Sequence, residues 1–472
     1  MLQKNKINMK PKIGLIGLTA ELYHDKVPEL VKDLTVFSNV LKKIVDTFAD
    51  VIHVPVVYKR KQMEHAYSKF MKEDVDGVIL VFLSYSPSLI ISPVLKKNQN
   101  IPVLLWNTQN LAGINKQFNT NDTMYNHGMH GVQDLASVLT REKIRFCIIT
   151  GHYKDKETVN KISRWCQSVS LIKFLKRSKI GRIGNRFKDM GDFAISDIQI
   201  KKCLGPTVVD IPLAKISSES AKINKTVIQN SIIADRKKYK VSTELTEQIH
   251  YISTRMELSL RRIIAKEKLD GLAINFMGFN GQKGVESIPF MAIGKFLAEG
   301  MGYAGEGDVL CAVSVLILQK LFGTANFVEM FTTDYENNRI FFEHMGESNP
   351  AMANNKNQIM LVKKDLPLIG PGIATAMFLF QLKPGQITLF NIAPTRNGVL
   401  KFIVGTGKIL RVPLFKDICS PHFLMQVDGD VKDFLTNYSL AGGTHHLAMV
   451  YGNRIADMEV FSDLIGIKLI KI

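Results

Sequence analysis

Between residues 13 and 150 the chain alternates short apolar runs with amphipathic stretches of helical length. That alternation leaves few folds open, because a strand apolar on both faces must be covered on both, and helices joining parallel strands do this. The runs at 13–18, 51–57, 77–83, 101–106 and 146–150 read as strands; 27–48, 61–73 and a weaker 89–97 read as helices. Open α/β sheets gather ligands at the carboxyl ends of their strands. Here those ends carry Thr19-Ala20-Glu21, Ser84-Tyr85-Ser86-Pro87, Asn107-Thr108-Gln109-Asn110 and Gly151-His152. A loop at 125–131 adds His127 and His130 before a helix toward Arg141. One histidine after a strand is usually structural, but several polar loops converging on one edge favour function. Gly14-Leu15-Ile16-Gly17 lacks the third glycine and the later acid of a dinucleotide loop, which excludes that reading.

At 472 residues the chain exceeds one core, and two or three domains are expected. A second α/β region follows, with Gly181-Arg182-Ile183-Gly184 and Gly205-Pro206 punctuating short strands and an amphipathic helix over 245–265. A strand at 272–276, a glycine-rich stretch at 278–284 and a helix at 288–299 come next. Past residue 344 short runs at 359–362, 374–382, 387–392 and 399–410, separated by Pro384-Gly385 and Asn397-Gly398, predict an antiparallel sheet or barrel. A helix at 454–464 and a strand at 468–472 close the chain, and no internal repeat stands out.

The formal net charge of +18 invites a nucleic-acid reading, but the lysines are spread over nearly the whole chain. The one dense cluster, Lys173, Lys176, Arg177, Lys179, Arg182, Arg186 and Lys188, is read as a solvated or subunit-facing surface, so no nucleic-acid partner is expected. Five scattered cysteines without CxxC spacing point to a reducing compartment and away from a thiolate zinc site. Residues 1–12 lack the apolar core of a signal peptide and no run is long enough to span a membrane, so a cytoplasmic protein is expected.

Three candidate metal or proton-transfer groups lie between Gly302 and His344. In Gly302-Tyr303-Ala304-Gly305-Glu306-Gly307-Asp308 a carboxylate sits between two glycines, just before a helix beginning at Asp308 or Val309. Glu329 follows in the apolar run Asn326-Phe327-Val328-Glu329-Met330-Phe331, and the strand-like Ile340-Phe341-Phe342 leads to Glu343 and His344. Much later, Ala441-Gly442-Gly443-Thr444-His445-His446 places adjacent histidines after two glycines. Two glutamates and two histidines without thiolate suit a harder divalent ion, manganese first, with cobalt or magnesium as alternatives.

Taken together these segments resemble the L-fucose/L-arabinose isomerase family, in its L-arabinose isomerase branch. Weaker matches at Ser86-Pro87, Asn107-Thr108-Gln109, His130-Gly131 and Thr150-Gly151-His152 extend the resemblance from about residue 12 to the end. It implies that Glu306, Glu329, His344 and His446 bind the metal, that Glu306 and Glu329 also shuttle protons, and that His130 reaches a sugar hydroxyl or ring oxygen. It implies two Rossmann-like α/β domains and a C-terminal β-barrel-like domain. The expected divisions are 1–172, 173–330 with Glu306 and Glu329, and 331–472 with His344 and His446. It also implies a homo-oligomer, commonly a hexamer, in which an N-terminal domain helps complete a neighbour's active site.

The expected reaction interconverts an aldose and its ketose. A divalent ion on two substrate oxygens stabilises the developing enediolate, while two carboxyl groups in unlike settings divide the roles of base and acid. The chain departs from the family near the sugar: Ala20-Glu21 replace glutamine and histidine before Leu22-Tyr23. Val309-Leu310-Cys311 replace Trp-Lys-Thr, and Ile274-Asn275-Phe276-Met277-Gly278 replaces Thr-Thr-Phe-Glu-Asp. The reaction type is kept and the sugar is left open. Another metal-dependent sugar or polyol isomerase or epimerase, or a non-catalytic carbohydrate-binding relative, is the alternative.

Overall fold

A computed structural model describes residues 10–279, 286–367 and 373–472; the amino-terminal residues 1–9 and positions 280–284 of the glycine-rich stretch lie outside them. The chain falls into two compact units, Met9–Lys173 and Phe174–Ile472. The first is one parallel sheet of β1 (Lys12–Leu18), β2 (Asp50–Val57), β3 (Gly77–Phe82), β4 (Val103–Asn107) and β5 (Cys147–Thr150), in the order β2-β1-β3-β4-β5. Its middle strands are apolar because both faces are covered; every residue of β3 is buried. The helix Pro28–Val45 shows the matching pattern, with Leu30, Leu34, Phe37 and Leu41 buried at helical spacing.

This order places the switch point between β1 and β3. Polar groups gather after these strands and β4: Thr19, Ser86 and Thr108 are buried with hydroxyls that have no hydrogen-bond partner. Nearby, Tyr23 lies 2.9 Å from His127 Nε2, whose Nδ1 faces the Thr123 carbonyl at 2.7 Å. His130 is exposed on the helix Gly128–Arg141, with its ring 5.8 Å from that of His127.

The second unit opens with β6 (Lys179–Ile183) and β7 (Thr207–Ile211), then a two-residue β8 (Lys240–Val241), β9 (Gly271–Ile274) and β10 (Gly302–Gly305). Its parallel sheet runs β7-β6-β9-β10, which is the order of β2-β1-β3-β4. The likeness reaches individual residues and shows an internal repeat that sequence inspection passes over. Strand β1 begins Lys12-Ile13-Gly14-Leu15-Ile16-Gly17, and β6 leads through Lys179-Ile180-Gly181-Arg182-Ile183 to Gly184. Ile13 is paired with Gly77 and Ile180 with Gly271. In each sheet the aspartate before that glycine accepts the backbone N–H of the first lysine, Asp76 from Lys12 and Asp270 from Lys179, both at 3.0 Å.

The rest of this unit holds β11 (Asn326–Asp334), β12 (Arg339–Glu343), β13 (Met360–Asp365), β14 (Ala374–Leu379), β15 (Gly385–Pro394), β16 (Leu400–Ile409), β17 (Phe423–Val427), β18 (His446–Tyr451) and β19 (Lys468–Lys471). Seven of these form a mixed sheet, β15-β18-β11-β12-β17-β16-β19, in which β15 also pairs with β16. Strand β19 runs parallel to β16; the other pairs are antiparallel. Strands β14, β13 and β8 make a small separate sheet. The helix Val309–Phe322 is buried from Val309 to Gln319 and packs against β9 and β10 as well as β15 and β18. It joins the parallel sheet to the mixed one where Glu306, Glu329 and His446 lie. Within the basic cluster, Arg182 is held by Asp197 and Asp210, at 2.9 and 2.7 Å. Among the described residues no helix is long and apolar enough to cross a membrane.

Candidate functional site

Glu306 stands at the carboxyl end of β10, on a backbone that turns out of the strand with φ +57°, a left-handed conformation rare outside glycine. The following residue must be glycine: Gly307 has φ +76°, and a Cβ there would lie 2.2 Å from the Asn185 carbonyl oxygen. The carbonyl of Glu306 accepts the Phe187 N–H at 2.9 Å, so the turn is fastened to the loop after β6. Asp308 then caps the helix Val309–Phe322 by accepting the Cys311 N–H at 2.9 Å.

Three histidines surround two glutamates, and each histidine has its Nδ1 held by a different carboxylate. His344 Nδ1 lies 2.7 Å from Glu347, which also accepts the Tyr303 hydroxyl at 3.1 Å. His446 Nδ1 lies 3.1 Å from Asp308, and His445 Nδ1 lies 2.6 Å from Asp192. Each Nε2 is thereby turned inward: His344 to 3.6 Å from Glu329, His446 to 3.6 Å and His445 to 3.3 Å from Glu306. The sheet sets this geometry, since Glu329 pairs across the strands with Glu343 on one side and His446 on the other. Phe327, two residues before Glu329, packs its ring against His344 and His446 at 4.7 and 4.9 Å. Asn391 holds the approach to His446 by donating to Thr444 Oγ1 at 2.6 Å and to the His446 carbonyl at 2.8 Å.

The two glutamates differ electrostatically. Burial works to raise the Glu306 carboxyl, but the hydrogen bond from His445 and the charges of His446 and His344 outweigh it and bring it below the usual range. Burial dominates at Glu329 and raises it against the same histidines. Burial works to lower His445, yet Asp192 and Glu306 push it up to about 10; Asp192 is correspondingly brought down to about 2, against its burial, by His445.

Two overlapping sets of potential ligand atoms lie within 4.8 Å of one another: Glu306, His445 and His446, and Glu329, His344 and His446. His446 Nε2 is buried without a hydrogen-bond partner. An imidazole nitrogen left bare while its other nitrogen is anchored by a carboxylate is the arrangement of a metal-ligating histidine, so the residues fit a divalent ion. The structure thus gathers the sequence candidates Glu306, Glu329, His344 and His446 in one cluster, while His130 belongs to the other unit. Sequence reasoning missed the carboxylates behind the histidines, Asp192, Glu347 and Asp308 in that role. Of these, only Asp308 carried a signal, as the residue before a helix.

The fold and cluster define a class: an α/β protein with a mixed carboxylate and imidazole site at the carboxyl edge of a parallel sheet. The N-terminal, central and C-terminal domain models of L-arabinose isomerase match residues 12–176, 179–323 and 324–468. Curated relatives named L-arabinose isomerase include one from Phocaeicola vulgatus, 25% identical over 79% of this chain and 74% of its own. One from Bacteroides thetaiotaomicron is 24% identical over 89% of this chain and 86% of its own, and one from Thermotoga maritima 23% over 86% and 84%. The chain belongs to the L-arabinose isomerase family, as a divergent member.

Proposed function

We propose that this chain is a metal-dependent aldose-ketose isomerase acting on L-arabinose or a related sugar, and that Glu306, Glu329, His344 and His446 hold the ion. The observation that carries this reading is the buried, unpartnered Nε2 of His446 between two glutamates, with the Nδ1 atoms of His344 and His446 anchored by buried carboxylates. Held there, a divalent ion, manganese first, would supply Lewis acidity to the substrate's carbonyl and neighbouring hydroxyl oxygens, while the hydrogen shifts between the two carbons that bear them. Glu306 and Glu329 take the proton from the hydroxyl-bearing carbon beside the carbonyl and return it to the carbonyl carbon, along an enediolate path in which the hydroxyl proton passes to the former carbonyl oxygen. Their opposed electrostatic settings suit a division into base and acid. Phe327 steadies the rings of His344 and His446 by packing against both, and His130 is proposed as a substrate-binding residue.

The departures from the family pattern leave the sugar open, and they are not equivalent. Val309, Leu310 and Cys311 are buried at the start of a core helix, so that change is one of packing. Glu21 is exposed and paired with Lys59 at 2.9 Å, so that change is available to a ligand. A homo-oligomer in the cytoplasm belongs to the same proposal, as does a barrel for the mixed sheet, which the pairing of β15 with both β18 and β16 supports. The test is incubation of the manganese-loaded protein with a panel of pentoses and 6-deoxyhexoses. Conversion of at least one to its ketose is expected; no conversion across the panel with metal demonstrably bound overturns the reading.

A further inference from the structure

The loop after β6 grips the Glu306 turn twice. Phe187 donates its N–H to the Glu306 carbonyl at 2.9 Å. Five residues on, Asp192 reaches the same glutamate through His445. Asp192 Oδ2 accepts both the backbone N–H of His445, at 3.0 Å, and its ring Nδ1–H, at 2.6 Å. A ring whose own main chain is tied to the same oxygen cannot turn without losing one of the two bonds. The carboxylate is itself fixed, because its other oxygen accepts the Phe193 N–H at 3.1 Å. Phe193 in turn is buried, and its ring lies 5.9 Å from the rings of both His445 and His446. The result is that His445 Nε2 is presented to Glu306 Oε2 at 3.3 Å.

His445 differs from the other two histidines in its surroundings. The side chains of His344 and His446 are 5% and 0% exposed, whereas His445 and its partner Asp192 are 33% and 34% exposed. His344 and His446 therefore lie on the buried side of the cluster, and His445 on its more exposed side.

We infer that Asp192 is a positioning residue that acts through His445 on the Glu306 carboxylate, holding the His445 ring against it, and that His445 is not an ion ligand. The inference rests on the reading of Glu306 as the proton carrier. It separates two kinds of carboxylate-histidine pair in one site: Glu347-His344 and Asp308-His446 build the ion's cradle, and Asp192-His445 aims the group that does the chemistry.

The test is the Asp192→Asn protein, with Asp192→Glu as the conservative control. The Asn variant is expected to lose kcat by about 10- to 100-fold while KM and manganese affinity, measured by titration of free Mn2+ in electron paramagnetic resonance, stay within about twofold of wild type. Asp192→Glu is expected to recover part of kcat. The metal-free proteins give a readout independent of turnover: one downfield imidazole N–H proton resonance present in wild type is lost in Asp192→Asn. An unchanged kcat, or manganese affinity falling together with kcat, overturns the inference, the latter by making His445 a ligand. A wild-type protein that binds manganese but turns over no sugar defeats the isomerase reading instead; the resonance and the affinity then decide alone, and an unchanged resonance or a weakened manganese affinity counts against the inference.

Discussion

In the sheet of the Met9–Lys173 unit the fourth strand, β4, ends at Asn107 and passes to Thr108; in the parallel sheet of the other unit the fourth, β10, passes to Glu306. Up to that point the two are built alike. Both open on Lys-Ile-Gly-x-Ile-Gly, both clamp the first lysine's N–H with the aspartate before the third strand, and both follow the same order. At the end of the opening pattern both need glycine: a Cβ on Gly17 would lie 2.1 Å from the Pro55 carbonyl oxygen, and one on Gly184 2.4 Å from that of Asn275. The first four strands therefore share a scaffold; the first sheet adds β5 beyond them, and the turn after the fourth strand differs in chemistry. Hydroxyls occupy that edge in one sheet and a carboxylate with a left-handed backbone in the other.

The largest effect that tests this contrast is on catalysis. Glu306→Gln keeps the size of the side chain and removes its charge and proton affinity. Turnover is expected to fall by roughly 10²- to 10⁴-fold with the fold retained, read from steady-state ketose formation and circular dichroism. Near-normal activity would place the chemistry on another acid.

The next effect is on stability, and it separates the two clamps. Asp76→Ala and Asp270→Ala each strip the partner from a backbone N–H, and each is expected to cost about 1–3 kcal/mol in denaturant unfolding. Asp76 carries the larger loss because it also pairs with Lys173 at 3.1 Å. Asp270→Asn is expected to be milder than Asp76→Asn, because burial already raises the Asp270 carboxyl and an amide oxygen still accepts the Lys179 N–H. Equal costs for the two asparagine variants would show that the ion pair at Asp76 contributes nothing.

The smallest effect is in pH dependence, where the sheets move in opposite directions. His53 on β2 is lowered to about 4, first by burial and then by Lys42, so the unfolded chain binds its proton from about 6.5 downward before the folded one does. The first unit accordingly loses stability as pH falls from about 6.5 toward 4. Asp270 is raised in the folded state, so its contribution to the other sheet is favourable in acid and declines as pH rises through the carboxylate range. Thermal unfolding of His53→Asn across this window should show a shallower acid loss than wild type; identical profiles would remove His53 from the account.

Much of the scaffold was legible because parallel strands buried on both faces are apolar throughout. The five strands of the first sheet fall within about two residues of their runs, Glu306 and Glu329 stand out as polar residues among glycine or apolar neighbours, and His344 follows an apolar run and Glu343. Strand β18 was not legible, because it begins at His446 itself, after a glycine pair that reads as a loop. The carboxylates behind the histidines were hidden for a different reason. Asp192 and His445 are 253 positions apart, and only the folded chain makes them a pair. The internal repeat rests on so few identities that register and hydrogen bonding reveal it before sequence does.

Under the proposed reading Glu306, Glu329, His344 and His446 together hold one divalent ion. Anomalous scattering from a manganese-soaked crystal tests it directly. One peak per chain within ligand distance of those four side chains, with His445 bonded to Asp192 and outside the coordination shell, is the predicted result; a peak held by Glu306, His445 and His446 without Glu329 and His344, or no peak in the cluster, would contradict it.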